Sequence, residues 1–410
     1  MTTSIQAIGA NLGALLVATC FAAVANPCSA HETAGHGGGH HKSSELATGA
    51  ALDNSGRLWV VTKETIDNKP FVVLRSSPDM GKTWSEPKPV QHASEPVAAN
   101  GEARPHVALG PKGELYITYT KPVAPPHVGD IRFVRSLDGG HNFSAPITVH
   151  ANRDVITHSF ESIAVDPAGR IYVSWIDGRG AAAAKARKQS YAGSGVYYAV
   201  SSDGGKSFKG DYQIADHSCE CCRIGLAINA DGKPVAMWRH VFAPNIRDHA
   251  VAELGVAGVA TPMHRATFDD WRIDACPHAG PSLAFAPDGT RHQVWFSGKE
   301  EGGGAFYARA DRAGTLAKPV MLGSVQASHA DVAVAGKQVV VAWKEFDGNA
   351  TAIRARVSSD GGLTWREQAL ARTTGDSDQP RLVASSSRIA LVWRTQSDGI
   401  QVVPVSTEEP

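Results

Sequence analysis

The densest group of chemically versatile residues lies between His217 and Arg223. Cys219, Cys221 and Cys222 fall within four positions there, among six cysteines in the whole chain. Thiolate and imidazole groups are ligands that zinc and copper both accept. This segment therefore predicts either a transition-metal site or sulfur chemistry.

A second pair, Cys276 and His278, extends the prediction and leaves alternatives open. The predicted metal ligands are His217, Cys219, Cys221, Cys222, Cys276 and His278. The competing interpretation is a disulfide between Cys276 and one of the three clustered cysteines, because adjacent cysteines are poorly placed to pair with each other. A third is a reactive thiol whose pKa the neighbouring Arg223 lowers.

The elements that position these residues follow from a repeat. A short apolar strand containing Ala, a turn and a second apolar strand ending near an aromatic recur seven times, as in ESIAVDPAGRIYVSWID and RIGLAINADGKPVAMWRH. The copies start roughly 50 to 60 residues apart, a spacing typical of propeller blades of four strands. The sequence predicts an all-β propeller with seven blades, or six if the last copy merges with the first. The seventh copy has residues for only three strands.

A second motif marks the turn after the third strand of four copies. It reads Ser-x-Asp-x-Gly-x-x-aromatic at Ser77–Trp84, Ser136–Phe143, Ser201–Phe208 and Ser358–Trp365. The Asp side chain can accept bonds from turn N–H groups, Gly permits a positive φ, and the aromatic packs back on the blade. These motifs resemble the Asp-boxes of the sialidase-like (BNR-repeat) β-propeller superfamily, and the resemblance extends from Leu46 to the C-terminus. Asp-boxes build turns, so they indicate the fold and not the site.

In a propeller, the loops that enter the inner strands and leave the second strands open on one face, which we call the mouth. Several cations occupy those positions, and converging cations favour an anionic ligand. The predicted ligand-binding residues are Arg104, Arg223, Arg239, Lys344 and Arg394. The alternative is that each cation pairs with a neighbouring acid. Four histidines, His158, His217, His278 and His329, also lie before inner strands, which favours a functional mouth.

The resemblance implies a specific activity to test against these residues. Sialidases of the superfamily bind a carboxylate with three arginines and use a tyrosine activated by a glutamate. That pattern implies catalytic roles for Arg104, Glu161, Tyr197 and Arg381, with Tyr191 as another candidate tyrosine. The motifs match loosely, and the cysteine cluster is not part of the family pattern.

Composition restricts the kinds of partner and the cellular location that the chain can have. Lys plus Arg and Asp plus Glu both number 40, so no net charge favours nucleic acid as a partner. An apolar N-terminus followed by Cys28-Ser29-Ala30 predicts a signal peptide over residues 1–30 and an exported, periplasmic or secreted protein. Residues 31–45 form a predicted His- and Gly-rich leader, and residues 46–410 the propeller. No later apolar run reaches the length of a membrane span.

Three functions remain as hypotheses. The first is a propeller that binds a ligand at its mouth, with copper or zinc as the metal of a Cys/His site. The second is an exo-α-sialidase acting on an anionic sugar. The third is a propeller that binds a protein partner and performs no chemistry.

Overall fold

A computed structural model describes residues 44–125, 127–275 and 277–406. The predicted signal peptide, most of the leader and Cys276 lie outside these residues. The prediction of an all-β fold is confirmed: 27 strands and one helix are present in the described ranges.

The strands form successive antiparallel sheets in chain order. The first two sheets comprise β1 (Thr48–Leu52), β2 (Leu58–Ile66), β3 (Lys69–Ser77) and β4 (Lys88–Pro89), then β5 (His106–Leu109), β6 (Leu115–Ala124), β7 (Val128–Ser136) and β8 (Ile147–Thr148). The next two comprise β9 (His158–Val165), β10 (Ile171–Asp177), β11 (Ser194–Ser201) and β12 (Lys209–Ser218), then β13 (Gly225–Ile228), β14 (Pro234–Phe242), β15 (Ile246–Glu253) and β16 (His264–Arg265). One bridge, between Ser218 and His240, joins these two sheets.

The C-terminal sheets continue the pattern. They comprise β17 (Ser282–Phe285), β18 (Arg291–Ser297), β19 (Gly304–Ala310) and β20 (Val320–Leu322), then β21 (Ser328–Ala335), β22 (Gln338–Phe346), β23 (Thr351–Ser358) and β24 (Arg366–Thr373), and finally β25 (Arg381–Ala384), β26 (Ile389–Thr395) and β27 (Gly399–Val405). The last sheet has three strands, as the short seventh copy predicts. The helix α1 (Arg179–Ala186) follows β10.

The first strand of each sheet contacts the first strand of the next. These contacts run from β1 through β5, β9, β13, β17 and β21 to β25, and β25 also contacts β1. Apolar clusters lie between neighbouring sheets, and one of them joins Val60 of β2 to Val392 of β26. The first and last sheets of the described chain therefore pack together.

Tryptophans on the second strands anchor this core. Those fully buried are Trp175, Trp238, Trp295, Trp343 and Trp393. A tryptophan buries roughly 150–250 Å² and so contributes about 4–6 kcal/mol of transfer free energy. Most also satisfy their indole N–H, as Trp175 does on Asp177 Oδ2 at 2.8 Å.

The four Asp-box motifs adopt one turn geometry. In the third, Asp203 Oδ1 accepts bonds from the backbone N–H of Lys206 and Ser207, and Ser201 Oγ accepts one from Gly205 N at 2.8 Å. Gly205 has φ +79°, and a Cβ there would lie 2.6 Å from the Phe133 ring. These bonds stabilise the turn itself, so the motifs have a structural role and are not candidate binding residues.

Candidate functional site

Two of the predicted mouth arginines, Arg104 and Arg223, lie buried in ion pairs just before the inner strands β5 and β13. The guanidinium of Arg104 is fully buried, contacts both oxygens of Asp378 at 3.3 Å and donates to Gln379 Oε1 at 2.9 Å. Asp378 also accepts the backbone N–H of Thr48. Arg104 therefore ties the second sheet to the segment that precedes the last one.

Arg223 forms the matching half of this network. Its Nη1 donates to Glu102 Oε1 at 3.0 Å and to the same Gln379 oxygen at 2.9 Å, while Nη2 donates to the Ala330 carbonyl. Burial opposes ionisation of Glu102, but the charge of Arg223 and the His329 imidazole hold its pKa well below the usual range. We call Glu102, Arg104, Arg223, Asp378 and Gln379 the central network.

The other predicted cations are arranged differently. Arg239 is buried and donates to the carbonyls of Arg247, Ala279 and Phe296. Lys344 is half-buried and donates to the Ser377 carbonyl at 3.0 Å.

Two cations keep some exposure. Arg394 lines a surface groove of about 780 Å³ with Lys63 and Glu64. The side chain of Arg381 is 23% exposed and lies 3.5 Å from Asp331. These side chains, unlike those of the central network, could still meet a ligand.

The tyrosines predicted from the resemblance do not meet Glu161. Tyr197 packs on Trp175 and lies under the Arg179 guanidinium, 4.1 Å from its ring centroid. The Tyr191 hydroxyl donates to Asp216 at 2.6 Å, and burial together with this bond raises the pKa of Tyr191. A tyrosine with a raised pKa is a poor nucleophile at neutral pH.

Glu161 is a buried carboxyl with an unusual environment. Its Oε2 accepts a bond from Thr120 Oγ1 at 2.5 Å, and within the described chain its Oε1 has no hydrogen-bond partner. Burial raises the pKa of Glu161 to about 7. Carboxyls of this kind can exchange protons near neutral pH, so they are candidates for functional groups.

Thr120 connects Glu161 to a cavity of about 420 Å³, which we call the Phe160 pocket. The pocket is lined by Ala98, Asn100, Ala103, Thr120, Pro122, Val123, Ala124, Pro125, His127, Val128, Ser159 and Phe160. The exposed His127 ring lies 5.0 Å from the Phe160 ring and 6.0 Å from the His278 ring. The loop between β6 and β7 thus extends toward the segment that precedes β17.

Strained backbone occurs around the same face. His127, Phe160, His217, His278 and His329 all have left-handed φ angles, between +46° and +58°. Such angles are costly for bulky residues and often mark sites where geometry is imposed for function. Histidine adopts this conformation more often than most residues, whereas nothing in the residue type of Phe160 predicts it.

The cysteine cluster is compact. Ligand atoms of Cys219, Cys221 and Cys222 lie within 4.8 Å of one another, and all three residues are buried. Cys219 and Cys222 are thiols, whereas Cys221 is disulfide-bonded. Burial would raise the pKa of Cys219, but the Cys222 hydrogen bond and the charge of Arg239 lower it.

The predicted histidine ligands lie elsewhere in the described structure. His217 is exposed, bonds the Ala192 carbonyl at 2.8 Å and packs on Tyr191. His278 faces His127. Neither belongs to the group of clustered sulfur atoms, and Cys276 lies outside the described residues.

Sequence reasoning missed Thr120, His127 and Phe160. Phe160 reads as an ordinary apolar residue of an inner strand. The available signal was the Pro-rich segment KPVAPPHV, which covers the end of β6 and the turn into β7, because connections at a propeller mouth are where ligands bind.

The chain resembles solved propeller-type structures along most of its length. An ulvan lyase of polysaccharide lyase family PL25 aligns at TM-score 0.56 and 11% identity over 89% of this chain and 93% of that one. The polysaccharide lyase Uly1 aligns at 0.54 and 8% over 90% and 92%. The NanB sialidase from Streptococcus pneumoniae aligns less well, at 0.46 and 10% over 75% and 67%. Identities this low show a shared fold alone.

The sequence matches no protein-family model and no curated protein. Among the described residues, no helix is long and apolar enough to cross a membrane.

Proposed function

We propose that this chain is a carbohydrate-active β-propeller that binds a saccharide in the Phe160 pocket. The observation that carries the proposal is the combination of this pocket with the proton-exchanging carboxyl of Glu161 beside it. Phe160 forms part of the buried apolar wall of the pocket, and the exposed His127 ring beside it offers a flat surface for a sugar ring. Asn100, Thr120 and Ser159 supply hydrogen-bonding groups at the edges, the mixture that small-ligand sites commonly use.

Glu161 is the proposed acid/base group. With a pKa of about 7 it is protonated in part of the molecules at neutral pH and ionised in the rest, so it can donate or accept a proton. Thr120 Oγ1 lies between its carboxyl and the pocket and is the group through which a proton would pass. The raised pKa of Glu161 follows from its burial, which disfavours the charged carboxylate.

The structural neighbours support the carbohydrate assignment. The two polysaccharide lyases described above align at TM-scores above 0.5, each with about nine tenths of this chain. The proposal takes from them only the class of ligand.

The proposed ring has seven blades. Contacts between successive first strands, including β25 with β1, support this count. A seven-bladed closure brings the central network to the ring axis. The Phe160 pocket then lies between the second and third blades.

The test is to measure, by titration calorimetry, the affinity of the full-length protein for defined neutral and acidic oligosaccharides. The same affinities are then measured for the Phe160→Ala variant. We expect at least tenfold weaker binding in Phe160→Ala and unchanged binding in the matched control Phe208→Leu, whose ring packs on Phe133 in an Asp-box turn. Absence of binding to every saccharide, or equal binding by Phe160→Ala, would falsify the proposal.

A companion measurement separates binding from chemistry. Glu161→Gln should keep saccharide binding and abolish any cleavage, detected by the appearance of new reducing ends. If Glu161→Gln cleaves as fast as the original chain, the acid/base role is wrong while the binding site stands.

The exo-sialidase alternative requires free arginines. Arg104 and Arg223 would have to leave Asp378 and Glu102, and breaking a buried ion pair costs about 3–5 kcal/mol. We therefore expect no release of a fluorogenic sialoside, and rapid release would restore that alternative.

A transition metal at the cysteine cluster is the second candidate function. Its support is the clustering of three buried sulfur atoms and the lowered pKa of Cys219. Because a disulfide sulfur is a poor ligand, Cys221 must be reduced first. Anaerobic titration of reduced protein with Cu(I) should show a site that Cys219→Ser loses, and unchanged uptake by that variant would exclude it.

Export stays a prediction with its own test. Mass spectrometry of the protein recovered from the producing cells should show a mature chain that begins at His31. An intact N-terminus would contradict the predicted signal peptide.

A further inference from the structure

A second group of potential ligands lies apart from the cysteines, between the second and third sheets. It consists of Asp130 on β7, His150 after β8 and His158 at the start of β9, and their ligand atoms lie within 4.8 Å of one another. The proposed saccharide pocket does not use their side chains.

Both imidazoles are oriented by backbone carbonyls. His150 Nδ1 donates to the Asn152 carbonyl at 2.5 Å, and His158 Nδ1 donates to the Gly129 carbonyl at 3.2 Å. These bonds place the proton on Nδ1 and leave the lone pair on Nε2. Metal-binding histidines are commonly held in this way by a partner on the other ring nitrogen.

The two rings are fully buried and stacked, with centroids 3.8 Å apart and planes 8° from parallel. In the described structure, His158 Nε2 is buried and has no hydrogen-bond partner. A buried acceptor without a donor is unfavourable unless something else binds it.

Carboxylates flank both nitrogens. Asp130 Oδ1 lies 3.7 Å from His150 Nε2, and the Asp130 side chain is 34% exposed, so the group can be reached from solvent. Asp177 Oδ2 lies 3.7 Å from His158 Nε2 but is already bonded by Trp175 and Arg179.

We propose that Asp130, His150 and His158 form a binding site for a divalent transition-metal ion of the zinc type. Two imidazole nitrogens and one carboxylate oxygen suit Zn²⁺ and leave a position for water or a ligand. His150 Nε2 accepts a bond from the Ile131 N–H at 3.2 Å, which binding of the ion would displace. The site does not depend on the proposed saccharide function.

The experiment is Zn²⁺ titration of the full-length protein, in a background where His31, His36, His40 and His41 are replaced by Ala to remove the leader's histidines. We compare His158→Gln with His292→Gln. His292 is also fully buried, with one ring nitrogen bonded to Tyr307 and the other without a partner. We expect His158→Gln to lose one equivalent of zinc and His292→Gln to lose none.

Two further readouts keep the result decisive. Asp130→Asn changes a partly exposed residue and should fold normally while weakening zinc binding at least tenfold. Co²⁺ bound at this site should show visible d–d bands without the strong near-ultraviolet thiolate absorption that the cysteine cluster would give. Unchanged zinc stoichiometry and affinity in both His158→Gln and Asp130→Asn would overturn the proposal. If His158→Gln does not fold, Asp130→Asn decides alone.

Discussion

The central network and Glu161, which lies beside the Phe160 pocket, both place buried ionisable groups near the start of inner strands, yet the two differ in how completely these groups are hydrogen-bonded. Arg223 and Glu102 satisfy each other, and Gln379 completes the bonding of Arg223. Glu161 has one bonded oxygen and, in the described chain, one without a partner. The first arrangement locks the fold, and the second leaves a group whose protonation can change. Buried charged groups that are hydrogen-bonded to each other are therefore structural, whereas a buried carboxyl with an unbonded oxygen is a candidate functional group.

Removing one partner of the central network should have the largest effect. Glu102→Gln leaves the buried Arg223 charge without its carboxylate, and we expect a loss of about 3–5 kcal/mol in the free energy of unfolding. Urea denaturation measures it. Arg312→Met, which breaks an exposed pair with Asp231, should change stability by less than about 0.5 kcal/mol. Equal effects in the two variants would contradict the comparison.

Glu161 should make stability depend on pH. Its folded pKa of about 7 lies above the ordinary value of 4.5, so the folded state binds the proton more tightly than the unfolded chain. This stabilisation is complete below about pH 4.5 and is lost as the pH rises to about 7, by about 3 kcal/mol in total. Unfolding between pH 5 and 8 should show the loss in the original chain but not in Glu161→Gln. A parallel pH dependence in the two proteins would rule out the raised pKa.

Substitution of Thr120 should lower the free energy of unfolding by less than substitution of Glu102. Thr120→Val keeps the volume and removes the hydrogen bond to Glu161 Oε2, which we expect to cost about 1–2 kcal/mol at pH 8, where the carboxylate is ionised. The cost should fall at pH 5, where the neutral carboxyl needs the bond less. Calorimetric melting at both pH values measures it, and a pH-independent cost would mean that Thr120 does not act through Glu161.

Substitution of Arg381 should change the free energy of unfolding less than the substitutions of Glu102, Glu161 and Thr120. Its side chain is partly exposed and 3.5 Å from Asp331, which keeps bonds from Ser282, Val332 and Leu382. Arg381→Met should therefore cost less than about 1 kcal/mol. A loss as large as that of Glu102→Gln would place Arg381 in the central network.

The fold was predictable because its signals are local. Each Asp-box joins a side chain to backbone groups no more than four residues away, as Asp203 does with Ser207, so its geometry can be inferred from the motif. Alternating buried positions and one aromatic on each second strand, such as Trp175, likewise follow from the repeat.

The site was less predictable because its contacts are not local. The positions of Arg104 and Arg239 are clear from the repeat. Their side-chain partners are not, because Asp378 lies 274 residues from Arg104 and Arg239 donates to backbone carbonyls. The Phe160 pocket combines a loop of one repeat with a strand of the next, and its strained φ at Phe160 has no signature in residue type.

The hydrogen bond from Thr48 N to Asp378 joins residues 330 positions apart. During synthesis, Arg104 and Arg223 emerge from the ribosome long before Asp378 and Gln379, to which they are hydrogen-bonded in the folded protein. The centre can therefore reach its final form only when nearly the whole chain has been made, and such distant contacts form slowly. Chains truncated before Asp378 should keep Arg104 without its carboxylate and Arg223 without Gln379, and we expect them to depend on chaperones or to be degraded.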